Sequence, residues 1–269
     1  MEKHYLYRKK QAMYSYLADI QVFQFDSLDQ FPAITHFVTT RNGVNDSDAY
    51  SSFNICHYTG DSDEAVAATR ERLAEALGID ADRIVVPRQV HGDRIGVVEH
   101  SSFNEEVDAV ITNRRGMCLT VSTADCVPVL LYCPKQQVVA AVHAGWRGMV
   151  KRIISKTVCR MVEQFGCDAA DIRAAIGPSI SPEAFEVGAE VALAFEEVGF
   201  EWAVLPSPIA GKAYIDLWHG AKSDLLAAEV LTENIETAAI CTWQQHDRFF
   251  SARRLGIRSG RISSGIMLK

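Results

Sequence analysis

The sequence lacks the cysteine pattern of a disulfide-bonded secreted protein. Its 269 residues contain seven cysteines, an odd number, and no two of them form a C-x-x-C pair. Disulfide frameworks are typical of short extracellular chains, whereas cytoplasmic thiols stay reduced. We therefore expect free thiols and a cytoplasmic protein. Cys118, Cys133 and Cys159 lie in apolar runs, which predicts that they are small core residues.

Long apolar stretches and clusters of basic residues are also missing. No run approaches the roughly 20 apolar residues that span a bilayer, and no apolar segment of a signal peptide follows the first residues. The formal net charge is −7, and no stripe of Lys and Arg suggests binding to nucleic acid. We expect no membrane anchor and no nucleic-acid partner. The sequence leaves both a monomer and a homodimer open.

No linker rich in Pro, Gly or Ser divides the chain, so residues 1–269 are expected to form a single domain. Strands alternate with helices, and residues 84–142 and 235–267 are richer in strand, which indicates α/β or α+β packing. Turn formers over 42–52 predict a surface loop, and Ser181-Pro182-Glu183 is typical of a helix start. The predicted strands are 84–86, 117–122, 127–132 and 138–142, and the predicted helices are 61–77 and 149–165.

Three segments place a metal-binding side chain at the end of a predicted strand or in a tight loop. They carry His91 in Gln-Val-His-Gly, Cys126 in Ala-Asp-Cys, and His143 in His-Ala-Gly-Trp-Arg-Gly. Strand ends present functional groups to a cleft. Two imidazoles and one thiolate suit a catalytic zinc ion, which keeps a fourth position for water or substrate. Asp125, beside Cys126, is a candidate for orienting a ligand.

The competing interpretation of these three residues is structural. Their spacing matches no standard zinc-finger pattern, and a lone buried His or Cys more often belongs to a core. In favour of a site, Gly92, Gly145 and Gly148 would allow the backbone to approach a ligand closely. From the residues alone, both interpretations stay open.

Several motifs, in order along the chain, resemble those of one protein family. It is the YfiH family, also described as polyphenol oxidases or laccases, and the resemblance covers about residues 36–267. The matching segments are Thr40-Arg41-Asn42-Gly43-Val44, Gln89-Val90-His91-Gly92, Asp108-Ala109, Thr123-Ala124-Asp125-Cys126-Val127-Pro128-Val129, His143-Ala144-Gly145-Trp146-Arg147-Gly148, Ile176-Gly177-Pro178-Ser179-Ile180, Phe185-Glu186-Val187-Gly188, Phe250-Ser251-Ala252-Arg253-Arg254 and Ser259-Gly260-Arg261.

The resemblance implies an α+β fold of four layers, α/β/β/α, similar to the catalytic domain of cytotoxic necrotizing factor. It implies zinc at His91, Cys126 and His143. It also implies a purine nucleoside phosphorylase that acts on adenosine, inosine and methylthioadenosine, and that deaminates adenosine. The chain departs from the family pattern at Asn42, at Ile55-Cys56 and at Thr69, which puts substrate preference in doubt more than the metal.

Phosphorolysis needs a pocket for phosphate, and the planar fork of arginine binds oxyanions bidentately. Arg41 and Arg147 are the candidates, since both lie in matching motifs beside glycine; the alternative for each is a surface salt bridge. Asn54 and Gln89 also lie in segments compared with the family, which implies a role in substrate binding. For deamination, Asp125 is the carboxylate that could move protons, although an ordinary hydrogen-bonding role is equally open.

Two rival activities start from the same residues. A cysteine hydrolase or amidase acting on cell-wall peptides would use Cys126 as nucleophile and His143 as base. A copper-dependent polyphenol oxidase would need many imidazoles, and the chain has eight histidines with no His-x-His pair. Copper could still occupy a site with two His and one Cys. A binding module with a structural metal is the remaining alternative.

Overall fold

The computed structural model describes residues 14–41, 49–50 and 53–269. Its strands form two six-stranded sheets and one three-stranded sheet. The strands are β1 (Tyr14–Leu17), β2 (Ile20–Phe23), β3 (Ile34–Thr39), β4 (Ile84–Val85), β5 (Ile95–Val97), β6 (Ala109–Thr112), β7 (Cys118–Thr123), β8 (Val127–Cys133), β9 (Val138–Ala144), β10 (Arg173–Ile176), β11 (Glu186–Gly188), β12 (Val204–Pro206), β13 (Lys212–Ile215), β14 (Ile235–Thr237) and β15 (Ile262–Leu268).

Most of the helices are short, and the two longest have 15 and 13 residues. Brief 3₁₀ turns lie at His57–Thr59, Ala81–Arg83, Ala169–Asp171, Glu201–Ala203 and Thr232–Asn234. The α-helices are α1 (Asp26–Asp29), α2 (Asp63–Leu77), α3 (Trp146–Val150), α4 (Ile153–Phe165), α5 (Ala189–Glu196), α6 (Leu217–Ala227) and α7 (Ala252–Leu255).

The two large sheets face each other, and helices cover their outer faces. The first sheet has the order β1-β2-β3-β15-β7-β4 and the second the order β14-β10-β8-β9-β6-β5. Apolar side chains of both sheets, such as Leu119 and Ile266 from the first and Leu130 and Val139 from the second, share one buried cluster. A second cluster lies between the second sheet and α4 to α6, and a third lies between the first sheet and α2. The expected four-layer α/β/β/α arrangement is confirmed.

Strands β8 and β9 form the centre of the second sheet. Every residue of both is buried, and they pair antiparallel from Val127 opposite Ala144 to Cys133 opposite Val138. A strand buried on both faces consists of a continuous apolar run rather than an alternating one. The first residues of β8 therefore lie directly beside the last residues of β9.

Most of the predicted elements are confirmed within a residue or two. Helix α2 begins after Ser62, whose hydroxyl accepts a hydrogen bond from the amide of Ala65, and it ends at Gly78 in the left-handed conformation. Strand β9 does not end at His143 but includes it and Ala144.

The predicted helix over 149–165 is wrong in its boundaries. The helical chain begins at Trp146 and is interrupted at Arg152, which has φ of 62°, before α4 continues from Ile153. In this left-handed conformation Arg152 allows its side chain to stack on Phe200, with its guanidinium carbon 3.6 Å from the ring centroid. Packing between elements distant in sequence thus breaks a helix that periodicity alone would continue.

Two smaller predictions are also wrong. Ser181 begins no α-helix: its carbonyl accepts hydrogen bonds from the amides of Ala184 and Phe185 in a single turn, and the chain then enters β11, which pairs with β13. Cys159 is exposed on α4, whereas Cys118 and Cys133 are buried as expected. All seven cysteines are free thiols.

The predicted surface loop over 42–52 lies almost wholly outside the described residues. Within the part of the chain that the structure describes, no helix has both the length and the apolar character that crossing a membrane requires. The single-domain organisation of residues 1–269 stays a prediction.

The buried His36 in β3 should make the stability of the fold depend on pH. Its side chain is 2% exposed, and its Nε2 accepts a hydrogen bond from the amide of Phe25. Burial lowers the pKa of His36 from 6.5 to about 4, against the opposing effect of Asp29 and Glu236. The unfolded chain therefore takes up a proton near pH 6.5 that the folded chain resists.

We expect this histidine to reduce the free energy of unfolding by up to about 3 kcal/mol as the pH falls from 6.5 to 4. Urea unfolding at several pH values measures the change. The His36→Gln variant, which keeps an acceptor for Phe25, should show a clearly flatter dependence over this interval. Equal slopes for the variant and the parent protein would contradict the assignment.

Candidate metal centre

Three side chains that are distant in sequence converge at one end of the β8–β9 pair. The ligand atoms of His91, Cys126 and His143 all lie within 4.8 Å of one another. The two imidazole rings are nearly perpendicular, with centroids 4.8 Å apart and an interplanar angle of 87°. His143 is buried, Cys126 is partly buried and His91 is exposed. The cluster is therefore enclosed on the protein side and open towards solvent.

The pairing of β8 with β9 brings Cys126 to His143. Cys126 immediately precedes β8, and Pro128 in β8 lies opposite His143 in β9. Because antiparallel neighbours place the beginning of one strand beside the end of the other, the hairpin itself makes these two side chains neighbours. Residue 125, before the thiol, has φ of 92°, which turns the chain sharply into the strand.

His91 comes to the same point in a loop between β4 and β5, and Asp108 holds this loop. The Asp108 carboxylate accepts hydrogen bonds from the amides of Val90 at 3.3 Å, His91 at 2.9 Å and Gly92 at 2.6 Å. His91 has φ of 58°, an unfavourable conformation for a residue other than glycine. The three hydrogen bonds to one carboxylate stabilise this conformation.

Asp108 also orients the second imidazole. Its Oδ1 lies 2.8 Å from Nδ1 of His143, and its backbone carbonyl accepts from the His143 amide at 2.7 Å. A carboxylate at Nδ1 favours the tautomer with the proton on that nitrogen, which leaves Nε2 as the metal-binding atom. Asp108 is fully buried; burial would raise its pKa, but the hydrogen bonds from His143 and from the backbone amides keep it lowered.

Gly145 also shapes the cluster, because it lies very close to two of the candidate ligands. A Cβ atom at this position would lie 3.2 Å from Cys126 Sγ and 3.2 Å from His91 Cδ2. These distances are tighter than ordinary contacts, so a side chain would push against two of the three candidate ligands. The expectation that glycine permits close approach holds here. Gly148 is similar, since a Cβ there would lie 3.0 Å from the carbonyl oxygen of Gly92.

The charges of the cluster favour a thiolate. Burial opposes ionisation of Cys126, yet His143 and His91 lower the pKa of its thiol to about 6. Burial likewise opposes a charged His143, but Cys126 and Asp108 raise its pKa to about 9. A thiolate beside imidazoles is the form that binds a metal or acts as a nucleophile.

The donor set fits zinc. Zinc takes Cys sulfur at about 2.3 Å and His nitrogen at about 2.0–2.1 Å, which places neighbouring ligand atoms about 3.5 Å apart. Separations of up to 4.8 Å need only small side-chain rotations to reach this value. The carboxylate behind His143 supplies the outer hydrogen bond that metal-binding histidines require.

Gln89 and Asn54, both predicted to bind substrate, use their polar atoms within the protein. The Gln89 amide donates to the Ser122 carbonyl at 2.8 Å and accepts from the Ser122 amide at 2.7 Å. The Asn54 amide nitrogen donates to Asp61 at 2.9 Å, and its oxygen accepts from the Arg261 amide at 3.2 Å. Gln89 thus fixes the loop of His91 to β7. Asn54 organises the turn after residue 53.

Of the two arginines predicted to bind phosphate, only Arg147 is exposed. Its guanidinium carbon lies 4.3 Å from the centre of the Trp146 ring. Arg41 is 1% exposed, donates to the carbonyl of His246 and lies over the ring of Phe250. Arg147 is thus the better placed of the two to meet a ligand from solvent, and the substrate role of each stays a prediction.

Asp125 is placed as a structural link rather than beside the imidazoles. Its carboxylate accepts from the Thr242 hydroxyl at 2.7 Å and from the Arg253 amide at 2.8 Å. Its carbonyl accepts from the amide of Ile180 at 2.9 Å. The carboxylate that orients a candidate ligand is Asp108, which the sequence presented only as the first residue of the Asp108-Ala109 motif. The signal was a carboxylate just before a buried strand, but its partners are visible only in the fold.

The fold and this cluster define a mixed α/β protein with two facing sheets and one candidate His–Cys–His metal centre. Residues 35–269 match the family model described as multi-copper polyphenol oxidoreductase laccase, and the chain belongs to this family.

Similar proteins agree with the expected family and fold. A purine nucleoside phosphorylase of Bacteroides thetaiotaomicron is 43% identical, over 95% of this chain and 99% of that protein. Adenosine deaminase RL5, from an unknown prokaryotic organism, is 41% identical over 93% of this chain and 100% of that protein. The solved structure of the hypothetical protein YfiH of Bacillus licheniformis has a TM-score of 0.87 at 28% identity, covering 95% of this chain and 99% of that chain. The resemblance to the YfiH family is confirmed.

The role of Asp108 can be tested by the Asp108→Asn substitution. The amide cannot accept from three backbone N–H groups and from His143 at once, so both imidazoles lose their orientation. We expect zinc affinity to fall by about 10- to 100-fold, measured by competition with a chelator. Asp224→Asn is the matched control, because Asp224 is another fully buried carboxylate, but it pairs with Arg152 and, among the described residues, hydrogen-bonds to no candidate ligand. Unchanged affinity in a folded Asp108→Asn protein would disprove the role.

Proposed function

We propose that the protein is a zinc-dependent purine nucleoside phosphorylase that acts on adenosine, inosine and methylthioadenosine and that also deaminates adenosine. The observation that carries the proposal is the cluster of His91, Cys126 and His143, with one side open to solvent. The names of the relatives, purine nucleoside phosphorylase and adenosine deaminase, support the substrate class. Small-molecule nucleosides and phosphate would be the partners, and the cytoplasm the proposed location.

His91, Cys126 and His143 would hold the zinc ion, which supplies Lewis acidity and activates water or an oxyanion at neutral pH. The protein contributes rigidity, because Asp108 fixes the loop of His91 and keeps the proton on Nδ1 of His143. In phosphorolysis, Arg147 would bind phosphate oxygens and so position the attacking group near the ribose.

Deamination requires a group that moves protons to the purine ring and the leaving amine. Asp125 was the candidate, but Thr242 and the Arg253 amide engage both of its oxygens. Asp125 would have to release one of these partners to exchange a proton with substrate. These contacts favour a positioning role for Asp125.

A second candidate function is supported by one specific observation. Cys126, His143 and Asp108 form the series of nucleophile, base and orienting carboxylate that cysteine hydrolases use. This favours a hydrolase or amidase acting on peptides such as those of the cell wall. The two functions exclude each other at Cys126, since a thiolate bound to zinc is not free to attack a carbonyl.

The family description names a multi-copper oxidase, but the described metal-binding residues give this activity less support than the zinc enzyme. Multicopper chemistry needs several clusters of imidazoles, and within the described ranges only one group of three or more His, Cys, Asp or Glu side chains is close enough to hold a metal. Copper binds such a donor set more tightly than zinc does. We therefore interpret copper, if found, as a competitor for the zinc position.

Replacing one ligand tests the zinc proposal. For the Cys126→Ala protein we expect loss of bound zinc and a decrease of at least about 100-fold in kcat/KM for adenosine phosphorolysis, since the ligands act as a unit. Metal content is measured by elemental analysis, and adenine and ribose 1-phosphate by chromatography. Cys159→Ala is the matched control, because Cys159 is an exposed thiol on α4.

The same two proteins distinguish the rival function. Cleavage of a peptide or amide by metal-free protein, inhibited by added zinc and lost in Cys126→Ala, would favour the hydrolase and overturn the phosphorylase. Full zinc occupancy in Cys126→Ala would show that the ligand assignment is wrong.

A further inference from the structure

Three arginines in segments that adjoin the candidate metal centre each have the guanidinium over an aromatic ring. The distances from guanidinium carbon to ring centroid are 4.3 Å for Arg147 on Trp146, 5.3 Å for Arg253 on Phe185 and 5.1 Å for Arg254 on Trp243. All three arginines are exposed, and all three rings are half-buried. We call these three arginines the cationic rim.

Two members of the cationic rim are tied to the turn that carries Cys126. The carboxylate of Asp125 accepts from the backbone amide of Arg253 and from the hydroxyl of Thr242, the residue before Trp243. Arg253 and the Trp243 ring under Arg254 are thus fixed next to the residue that precedes the candidate ligand. The anchor on Arg253 is its backbone amide, so this contact does not engage the guanidinium.

Phe185, whose ring lies under Arg253, is also linked to the turn at Asp125 through backbone hydrogen bonds. The amide of Ile180 donates to the carbonyl of Asp125 at 2.9 Å, and the amide of Phe185 donates to the carbonyl of Ser181 at 3.0 Å. The Arg253 guanidinium also donates to the carbonyl of Glu186 at 2.7 Å. These contacts hold Phe185 and Arg253 together at the edge of the site.

Arg147 belongs to a different segment of the chain, the one that follows His143. It is two residues from Gly145, whose Cα is so close to Cys126 and His91 that a Cβ would lie 3.2 Å from both side chains. The stack of Arg147 on Trp146 therefore begins immediately beside the metal cluster. The cationic rim thus comes from two separate chain segments, one hydrogen-bonded to Asp125 and the other close to Cys126 through Gly145.

The charge of the cationic rim is not neutralised within the protein. Among the described residues, neither Arg147, Arg253 nor Arg254 has a carboxylate within ion-pair distance, whereas Arg72 pairs with Asp19 and Arg88 with Glu106. Glu186, the carboxylate nearest in sequence to Phe185, accepts a hydrogen bond from Ser207 instead. Three cations without an ion pair, in segments that adjoin the metal cluster, would create a local positive potential that attracts anions in a protein with a net charge of −7.

We propose that the cationic rim of Arg147, Arg253 and Arg254 binds a phosphate oxyanion at the opening of the candidate metal centre. Guanidinium groups bind phosphate through paired N–H donors, and stacking on aromatic rings limits the rotamers that binding would otherwise have to fix. The inference deepens the proposed function, since phosphorolysis needs phosphate beside the nucleoside. Arg253 and Arg254 would then contact substrate, a role that nothing in the sequence assigned to them.

Direct binding of inorganic phosphate to the zinc-loaded protein tests the proposal. We expect Arg253→Gln and Arg254→Gln each to weaken the Kd for phosphate by about tenfold or more, measured by calorimetry, with a larger effect in the double variant. Arg160→Gln is the matched control, because Arg160 is exposed on α4 and also lacks a carboxylate partner among the described residues. In the enzyme assay, the KM for phosphate should rise by a similar factor, with a much smaller change in the KM for adenosine.

A second titration, with adenosine 5′-monophosphate, distinguishes two sources of the oxyanion. A loss of nucleotide affinity in the variants, with no effect on free phosphate, would assign the cationic rim to a phosphate carried by the substrate. Equal phosphate and nucleotide affinities for the parent protein and the double variant, or no binding by either, would overturn the inference.

Failure of this inference and failure of the proposed function are distinguishable. Suppose that the parent protein releases adenine from adenosine with phosphate, but that the double variant keeps the parent Kd and KM for phosphate. The phosphate role of the cationic rim is then wrong, while the proposed phosphorylase activity is retained. If no nucleoside is cleaved, the function fails, while the calorimetric comparison with Arg160→Gln still decides whether the rim binds phosphate.

Discussion

The carboxylate of Asp108 joins the two parts of the candidate metal centre. One oxygen accepts from the amide of His91 and lies beside Nδ1 of His143, while the other accepts from the amides of Val90 and Gly92. A fully buried carboxylate is costly unless such groups surround it. The same contacts that stabilise the charge therefore fix the loop conformation and the imidazole orientation together, so that the site and the local fold form one cooperative unit.

The fold explains why this unit lies where it does. Strands β8 and β9 are buried on both faces and are rigid, so Cys126 and His143 at their paired ends have defined positions. The left-handed conformations at His91 and Asp125 are local costs of order 1 kcal/mol or more. Hydrogen bonds to Asp108 in the first case, and from Thr242, Arg253 and Ile180 in the second, offset these costs, as is typical of functional sites.

The sequence alone predicted the parts of the protein that depend on local patterns. Helix α2, with its Ser62 cap and Gly78 stop, and the central strands follow from periodicity. The convergence of His91, Cys126 and His143 was predicted because each stands at a strand end or in a tight loop. The break at Arg152 was missed because it depends on Phe200, a residue far along the chain. Asp108 and the cationic rim were missed for the same reason, since their partners come from several distant segments.

The chemistry of Cys126 depends on what the opening of the site attracts. The pKa of about 6 for its thiol suits either a metal ligand or a nucleophile, so the cluster alone does not select a reaction. The surroundings constrain the charge of the substrate. Guanidinium groups bind both carboxylates and phosphates through paired N–H donors, so the cationic rim would attract an anionic substrate. Charge at the opening thus constrains the substrate to an anion, and the choice of reaction depends on whether the Cys126 thiolate binds a metal ion or stays free.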